Sequence, residues 1–108
     1  MTTVSFTTEG ERIVGFHVEG HSGYAEAGSD IVCAAVTSAV RLTECAINDV
    51  LGLGATAKAK GDSVSLKLPG SLGSTNESTC QALMTALMVY FAELHEEYPE
   101  NITVVEEE

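Results

Sequence analysis

The stretch VSFTTEGERIVGFHV, residues 4–18, gives the first indication of the fold of this chain. Apolar side chains alternate with mostly polar ones on both sides of a central Glu9-Gly10-Glu11. Alternation with a period of two is typical of strands that bury one face, and a glycine-centred break between two such runs predicts a β-hairpin. The residues expected to face the core are Val4, Phe6, Val14, Phe16 and Val18.

Helices and a second hairpin follow this first hairpin. From Ile31 to about Leu51 the apolar positions have helical spacing, and glycines directly after them supply the stop signal. Residues 55–68 alternate again around a Gly61-Asp62 turn, which predicts the second hairpin. Its two faces differ, because alanines and β-branched or leucine side chains occupy one and lysines the other.

A second helix is predicted over residues 76–97, where apolar residues recur every three or four positions. Ser74 and Glu77 have capping-box spacing at its start, and Pro99 ends it. Residues 102–105 can add a last strand. The resulting order ββαββαβ predicts an α+β two-layer sandwich, with two helices on one face of a mostly antiparallel sheet. With 108 residues, we expect one domain covering positions 1–108.

The charge of the chain limits its partners. Sixteen Asp and Glu residues against five Lys and Arg give a net charge of −11. Such a charge argues against direct nucleic acid binding and against anionic membranes, and it fits a basic partner. No apolar run approaches the ~20 residues that cross a bilayer, and the first residues lack a signal pattern, so we expect a cytoplasmic protein and no membrane contact.

Three cysteines are candidates for thiol chemistry. Cys33, Cys45 and Cys80 show no CxxC or Cys/His clustering, so neither a zinc site nor a disulfide framework is indicated. Helical phase places Cys80 in the apolar stripe of the second helix, whereas Cys33 falls at the edge of the stripe of the first. A small buried side chain is the ordinary role of a lone cysteine and is the alternative to a functional role.

The position of Cys33 near a helix start favours a functional role. If Ser29 or Asp30 is the N-cap, Cys33 lies in the first turn, where free N–H groups and the helix dipole favour an anion such as a thiolate. A thiolate that cleaves amides also needs a proton donor for the leaving amine. His21 is the candidate, and an ordinary turn histidine is the alternative. His17 and His95 are expected to be solvated surface residues.

The loop between His21 and Cys33 is rich in small residues. Its glycines allow close approach of a peptide, so we expect it to be part of the substrate site. Asp30 either caps the helix or orients His21, and the sequence leaves both open. The loop residues expected to contact substrate are Gly20, Ser22, Gly23, Tyr24, Gly28 and Ser29.

This region resembles the signature of the Prp family, the bacterial ribosomal-processing cysteine proteases. The resemblance is carried by Gly20-His21, the small-residue loop and the following DIVCAAV. The element order and the length are similar as well, so the resemblance covers essentially the whole chain. It implies Cys33 as nucleophile and His21 as general base and acid, with Asp30 at the position of the family aspartate. Thr37 stands where the family commonly has serine, and Ser22 where alanine is common.

The resemblance implies a function and an assembly. Members of this family remove a short N-terminal extension from large-subunit ribosomal protein number twenty-seven, cutting after two aromatic residues, and they form homodimers. No metal or organic cofactor is implied. A basic ribosomal precursor would suit the charge of −11.

Two other functions are compatible with the residues. A non-catalytic acidic module could bind a basic ribosomal protein without cutting it, and a thiol redox sensor would need a resolving cysteine that the nearby sequence lacks. Met84, Met88 and Tyr90 lie on a broad apolar helix face that is expected either to meet a second subunit or to complete the monomer core.

Overall fold

The computed structural model describes residues 1–20 and 27–108, with side chains described from residue 31 onward after the gap. The α+β two-layer architecture and its element order are as predicted. In chain order the elements are β1 Thr2–Glu9, β2 Arg12–Glu19, α1 Ala27–Glu44, a π-helical turn Cys45–Val50, β3 Thr56–Lys60, β4 Ser63–Lys67, α2 Ser74–Glu97 and β5 Ile102–Glu107.

The five strands form one sheet in the order β3-β4-β2-β1-β5. Both hairpins are antiparallel, as is the pairing of β2 with β4, while β5 lies parallel to β1 with Thr2 opposite Ile102. The sheet is therefore mostly antiparallel, as predicted. Two helices cover one face, and the rings of Phe6, Phe16 and Phe91 meet between the layers at centroid distances of 6.0 and 6.4 Å.

A register shift in the first hairpin changes which residue of β2 packs inward. The pairing of β1 with β2 is irregular between Thr7 and Thr8, so Ile13 joins the core cluster, whereas Val14 is buried but lies outside that cluster. Ile13 also lies beyond the stretch where β4 pairs with β2. Gln81 of α2 takes the place of a strand there, since its amide accepts from Ile13 N at 2.8 Å and donates to Ile13 O at 2.9 Å.

Helix α1 begins at Ala27, four residues before the predicted start. Ser29 and Asp30 therefore lie inside the first turn and are not N-caps, which corrects the prediction. A good helix former at Ala27 and an acidic residue at Asp30 both suit the first turn of a helix, so the sequence tolerates the earlier start. At its other end α1 continues into the π-helical turn, where Asn48 exchanges two hydrogen bonds with the backbone of Ala55.

The start of α2 also differs from the predicted capping box. Gly73 is the N-cap, with no side-chain cap, and Ser74 is the first helical residue. Glu77 forms an ion pair with Arg12 instead of a capping box with Ser74, and Arg12 Nε lies 2.5 Å from Glu77 Oε2. Arg12 Nη2 also donates to Pro69 O at 2.7 Å. This ion pair fastens the start of β2 to the start of α2.

The apolar stripe of α2 is buried as predicted, in Cys80, Met84, Leu87, Phe91 and Leu94. Met84 is fully buried and Met88 packs against the core, so of the three residues considered for a subunit contact only Tyr90 is well exposed, at 41%. At the end of α2, His95 is half-buried and its Nδ1 donates to Ile102 O at 2.6 Å. The prediction that His95 is a solvated surface residue is therefore wrong, because the ring ties α2 to β5.

Within the described residues, the helical segment Ile31–Val50 is long and apolar enough to span a membrane by length and composition, with a mean hydropathy of 1.3. Core helices of soluble proteins meet the same criterion. Here the stripe Val32, Val36, Val40 and Ile47 is buried in the core cluster together with residues of the sheet. The apolar residues of this segment therefore contribute to the core of the fold.

Candidate functional site

A cavity of about 330 Å³ lies between α1 and the sheet, and Cys33 lines it. Its strand wall reaches the β3 edge of the sheet, where Ala59 is exposed although it lies opposite the lining residue Val64. The α1 wall consists of Cys33, Val36, Thr37, Val40, Arg41 and Glu44. The opposite wall consists of Thr2, Val18, Glu19, Ala59, Gly61, Asp62, Ser63 and Val64.

Cys33 stands at the boundary between core and solvent, as helical phase predicts. Its neighbour Val32 is fully buried, whereas Cys33 itself is half-buried and faces the cavity. Thr37, one turn further along α1, is exposed and lines the same cavity. The structure thus brings together the thiol and the hydroxyl that the sequence singled out four residues apart.

The position of Cys33 along α1 differs from the prediction. It follows Ala27 by six positions, so it lies in the second turn and not in the first. The free N–H groups at a helix start belong to the first four residues, and the field of the dipole falls off within the first turn. The helix start therefore does not favour a thiolate at Cys33, and the observation that supports a functional role for this residue is its place in the cavity wall.

Gly20 directly follows β2 and the cavity residue Glu19, and it has a backbone conformation that other residues rarely adopt. Its φ is +87°, and a Cβ added there would lie 2.5 Å from the carbonyl oxygen of Met1. The chain can turn out of β2 at this point, close beside the start of β1, because Gly20 has no side chain. The next residue is His21.

Several of the predicted site residues lie wholly or partly outside the described part of the chain. His21, Ser22, Gly23 and Tyr24 lie outside the described residues, and so does any contact between His21 and Cys33. Gly28, Ser29 and Asp30 belong to α1 by their backbone, and their side chains are outside the described part as well. Apart from the N-cap role of Ser29 and Asp30, which the start of α1 at Ala27 excludes, the roles assigned to these residues remain predictions.

The floor of the cavity is apolar and its rim is charged. Valines 18, 36, 40 and 64 contribute the apolar surface. Three carboxylates, those of Glu19, Glu44 and Asp62, and one guanidinium, that of Arg41, stand among the described lining residues. The sequence assigned no role to these residues, although Arg41 and Glu44 follow Cys33 by eight and eleven positions, a spacing that returns to the same side of a helix.

The other two thiols do not share this setting. Cys80 is fully buried, and burial raises the pKa of its thiol, with the Glu77 carboxylate adding to the rise and Arg12 opposing it. Cys45 is exposed on the π-helical turn and does not line the cavity. Of the three thiols, only Cys33 therefore faces a cavity beside apolar and polar groups. Among the described residues, no group of three His, Cys, Asp or Glu side chains could hold a metal ion.

Comparisons with solved structures show the same fold in other proteins. The ribosomal processing protease Prp from S. aureus in complex with a substrate peptide has a TM-score of 0.86 and 24% identity, over 99% of this chain and 100% of that one. The same protease with a covalently linked product peptide has a TM-score of 0.84 and 24% identity, at the same coverage. SMU.848 from Streptococcus mutans has a TM-score of 0.84 and 23% identity, over 99% of this chain and 94% of that one.

No curated protein matches this chain. The model of the family described as cysteine protease Prp matches residues 1–103, which include the cavity and all three cysteines. These residues make up nearly all of the chain. The protein therefore belongs to the Prp family and is a cysteine protease.

Proposed function

We propose that this protein is a ribosomal-processing endopeptidase that removes the N-terminal extension of large-subunit ribosomal protein number twenty-seven. Cys33 is the nucleophile and His21 the general base and acid in this proposal. The observation that carries it is the place of Cys33, half-buried in the wall of a cavity long enough for a peptide. The S. aureus relatives, solved with substrate and product peptides, support the same class of substrate.

The length of the cavity suits an extended peptide. Its α1 wall runs from Cys33 to Glu44, which at 1.5 Å per helical residue is about 16 Å. An extended chain advances about 3.3 Å per residue, so about five residues fit along this wall. The valine floor can take apolar side chains, which agrees with a substrate that carries aromatic residues at the cleavage site.

The proposed chemistry proceeds through an acyl-enzyme. The Cys33 sulfur, having given its proton to His21, attacks the scissile carbonyl carbon and forms a C–S bond. The imidazolium then protonates the leaving amine as the C–N bond breaks, which leaves a thioester on Cys33. A water molecule, deprotonated by the imidazole, attacks the thioester and releases the carboxylate product, with the thiolate as leaving group.

Charge supports a basic substrate. The chain carries −11 in total, and carboxylates outnumber the guanidinium in the cavity lining. A basic precursor is attracted over roughly a Debye length, about 8 Å at physiological salt. We place this reaction in the cytoplasm, where ribosomal proteins are assembled.

We also propose that the enzyme acts as a homodimer. A second cavity of about 450 Å³, apolar in lining, lies between α1 and α2. Leu42 and Tyr90 border it and are exposed by 71% and 41%. Burying this surface against a second subunit would remove apolar area from water.

Light scattering tests the homodimer. Wild type should have twice the monomer mass, and Leu42→Ser should shift the protein to monomer. A wild-type monomer at micromolar concentration would reject the dimer.

Peptide cleavage tests the proposed function. The substrate is a synthetic peptide with two consecutive phenylalanines before the scissile bond and six flanking residues on each side, with product mass read by mass spectrometry. Wild type should cut after the second phenylalanine, and Cys33→Ala should not. Cys45→Ala removes the exposed thiol outside the cavity and is the matched control, which should cut normally.

The results separate this proposal from a non-catalytic acidic module. If wild type leaves the peptide and the intact precursor uncut while binding the precursor, the ribosomal-processing role is wrong. If Cys33→Ala cuts as well as wild type, the assignment of the nucleophile is wrong.

A further inference from the structure

Arg41 stands out among the cations of this chain. Of the other described cations, Arg12 is paired with Glu77, and Lys58, Lys60 and Lys67 belong to the β3–β4 hairpin and do not line the cavity around Cys33. Arg41 does line it, and it is exposed. It forms no ion pair with any side chain that the structure describes, although Glu19, Glu44 and Asp62 line the same cavity.

We propose that Arg41 is a substrate-binding residue whose guanidinium donates hydrogen bonds to backbone carbonyl oxygens of the bound peptide. This inference rests on the proposed function, because it takes the cavity as the peptide site and Cys33 as the nucleophile. A substrate carboxylate is a weaker candidate for the group that Arg41 binds, since the three carboxylates of the cavity lining would repel it. A neutral carbonyl meets no such repulsion, and the planar guanidinium offers five N–H donors.

The position of Arg41 fixes which part of the peptide it can reach. It follows Cys33 by eight residues on α1, which is about 12 Å along the helix axis. An extended peptide covers that distance in about four residues. Arg41 should therefore bind the peptide three to four residues from the scissile bond, independently of the side chain at that place.

A purely structural role for Arg41 makes a different prediction. Arg41 lies in the last α-helical turn before the π-helical turn, and a cation in the carboxyl-terminal part of a helix interacts favourably with the helix dipole. If this were its whole role, Arg41→Gln would lower thermal stability and leave KM unchanged. If Arg41 contacts the substrate, Arg41→Gln should raise KM for long peptides and leave KM unchanged for peptides too short to reach Arg41.

The test compares Arg41→Gln, Arg41→Lys and Lys58→Gln with wild type. Lys58→Gln is the matched control, because it removes one positive charge from a site outside the cavity. Each enzyme is assayed with three peptides that share the same scissile bond. The long peptide has six residues on each side of this bond. One shortened peptide keeps only two residues on the amino-terminal side, and the other keeps only two residues on the carboxyl-terminal side. Thermal denaturation of all four proteins is recorded in parallel.

We expect Arg41→Gln to raise KM for the long peptide about tenfold with little change in kcat. A tenfold rise in KM corresponds to the loss of about one charge-assisted hydrogen bond. Arg41→Lys should recover part of this loss, and Lys58→Gln should match wild type. One of the two shortened peptides should be cut equally well by wild type and Arg41→Gln.

Three outcomes would overturn the inference. These are an unchanged KM in Arg41→Gln, an equal rise in Lys58→Gln, and a rise that persists with both shortened peptides. Failure of wild type to cut the long peptide would instead reject the proposed function itself.

Discussion

Replacing Gly20 with alanine should destabilise the protein far more than the same change at Gly10. Both glycines have positive φ, +87° and +62°, which L-residues rarely adopt. Their surroundings differ, because a Cβ at Gly10 would have no atom within 4 Å, whereas one at Gly20 would lie 2.5 Å from Met1 O. The pair therefore separates the cost of backbone conformation from the cost of steric overlap.

The structure gives the size of each term. Left-handed backbone costs an L-residue about 1–2 kcal/mol, and this should be the whole loss in Gly10→Ala. At Gly20 the new methyl group must also push away the start of β1, where Thr2 N donates to Asn101 O at 2.9 Å. Overpacking of this kind adds about 1–3 kcal/mol, so Gly20→Ala should lose about 2–5 kcal/mol in total.

Urea denaturation followed by circular dichroism measures both losses. The midpoint should fall in both variants with the slope unchanged, since the surface exposed on unfolding stays the same. Equal losses in the two variants would contradict this prediction, because the overlap with Met1 would then have no cost. Thr2 and Glu19 line the cavity, so Gly20→Ala should also raise KM for the peptide.

Three further predictions concern stability. Asn48→Ala should lower the free energy of unfolding by about 1–3 kcal/mol in urea titrations, because two hydrogen bonds to the Ala55 backbone are lost. Glu77→Gln should cost about 1 kcal/mol at low salt and less at high salt, because its partly exposed ion pair with Arg12 is screened; a salt-independent loss would contradict this. Burial raises the pKa of Cys80 above its ordinary 9.0, so as pH rises past this value the unfolded state loses the thiol proton first and stability falls. Cys80→Ala should remove that part of the alkaline loss in pH-dependent melting curves.

Short-range patterns predicted most of the elements. The alternation around Glu9-Gly10-Glu11 and around Gly61-Asp62 identifies both hairpins, because side chains on a strand point to opposite faces in turn. Helical spacing predicts the buried stripe of α2 and the half-buried edge position of Cys33. Each of these properties depends on residues within a few positions of one another.

The features that the sequence did not predict depend on distant residues. Glu77 has capping-box spacing with Ser74, yet it pairs with Arg12, 65 positions away. His95 was expected in solvent and instead contacts the backbone of β5, whose place in the sheet depends on β1. The start of α1 at Ala27 could not be predicted even from nearby residues, because Ser29 and Asp30 suit both an N-cap and a first helical turn.

The candidate site divides in the same way. Cys33 and Thr37 could be identified from their spacing on one helix, and both line the cavity. The opposite wall comes from two hairpins, so Val18 and Asp62 could be added only once the sheet order was known.

The parallel pairing of β1 with β5 has a consequence for the synthesis of this enzyme. β1 lies between β2 and β5, and Thr2 pairs with Ile102, about 100 residues later in the chain. At translation rates of about 5–20 residues per second, β1 waits roughly 5–20 seconds for this neighbour. Until β5 leaves the ribosome, β1 has an unpaired edge and α2 lacks the backbone partner of His95. Folding of the complete sheet must therefore follow translation of this strand, and protease activity should appear only after that delay.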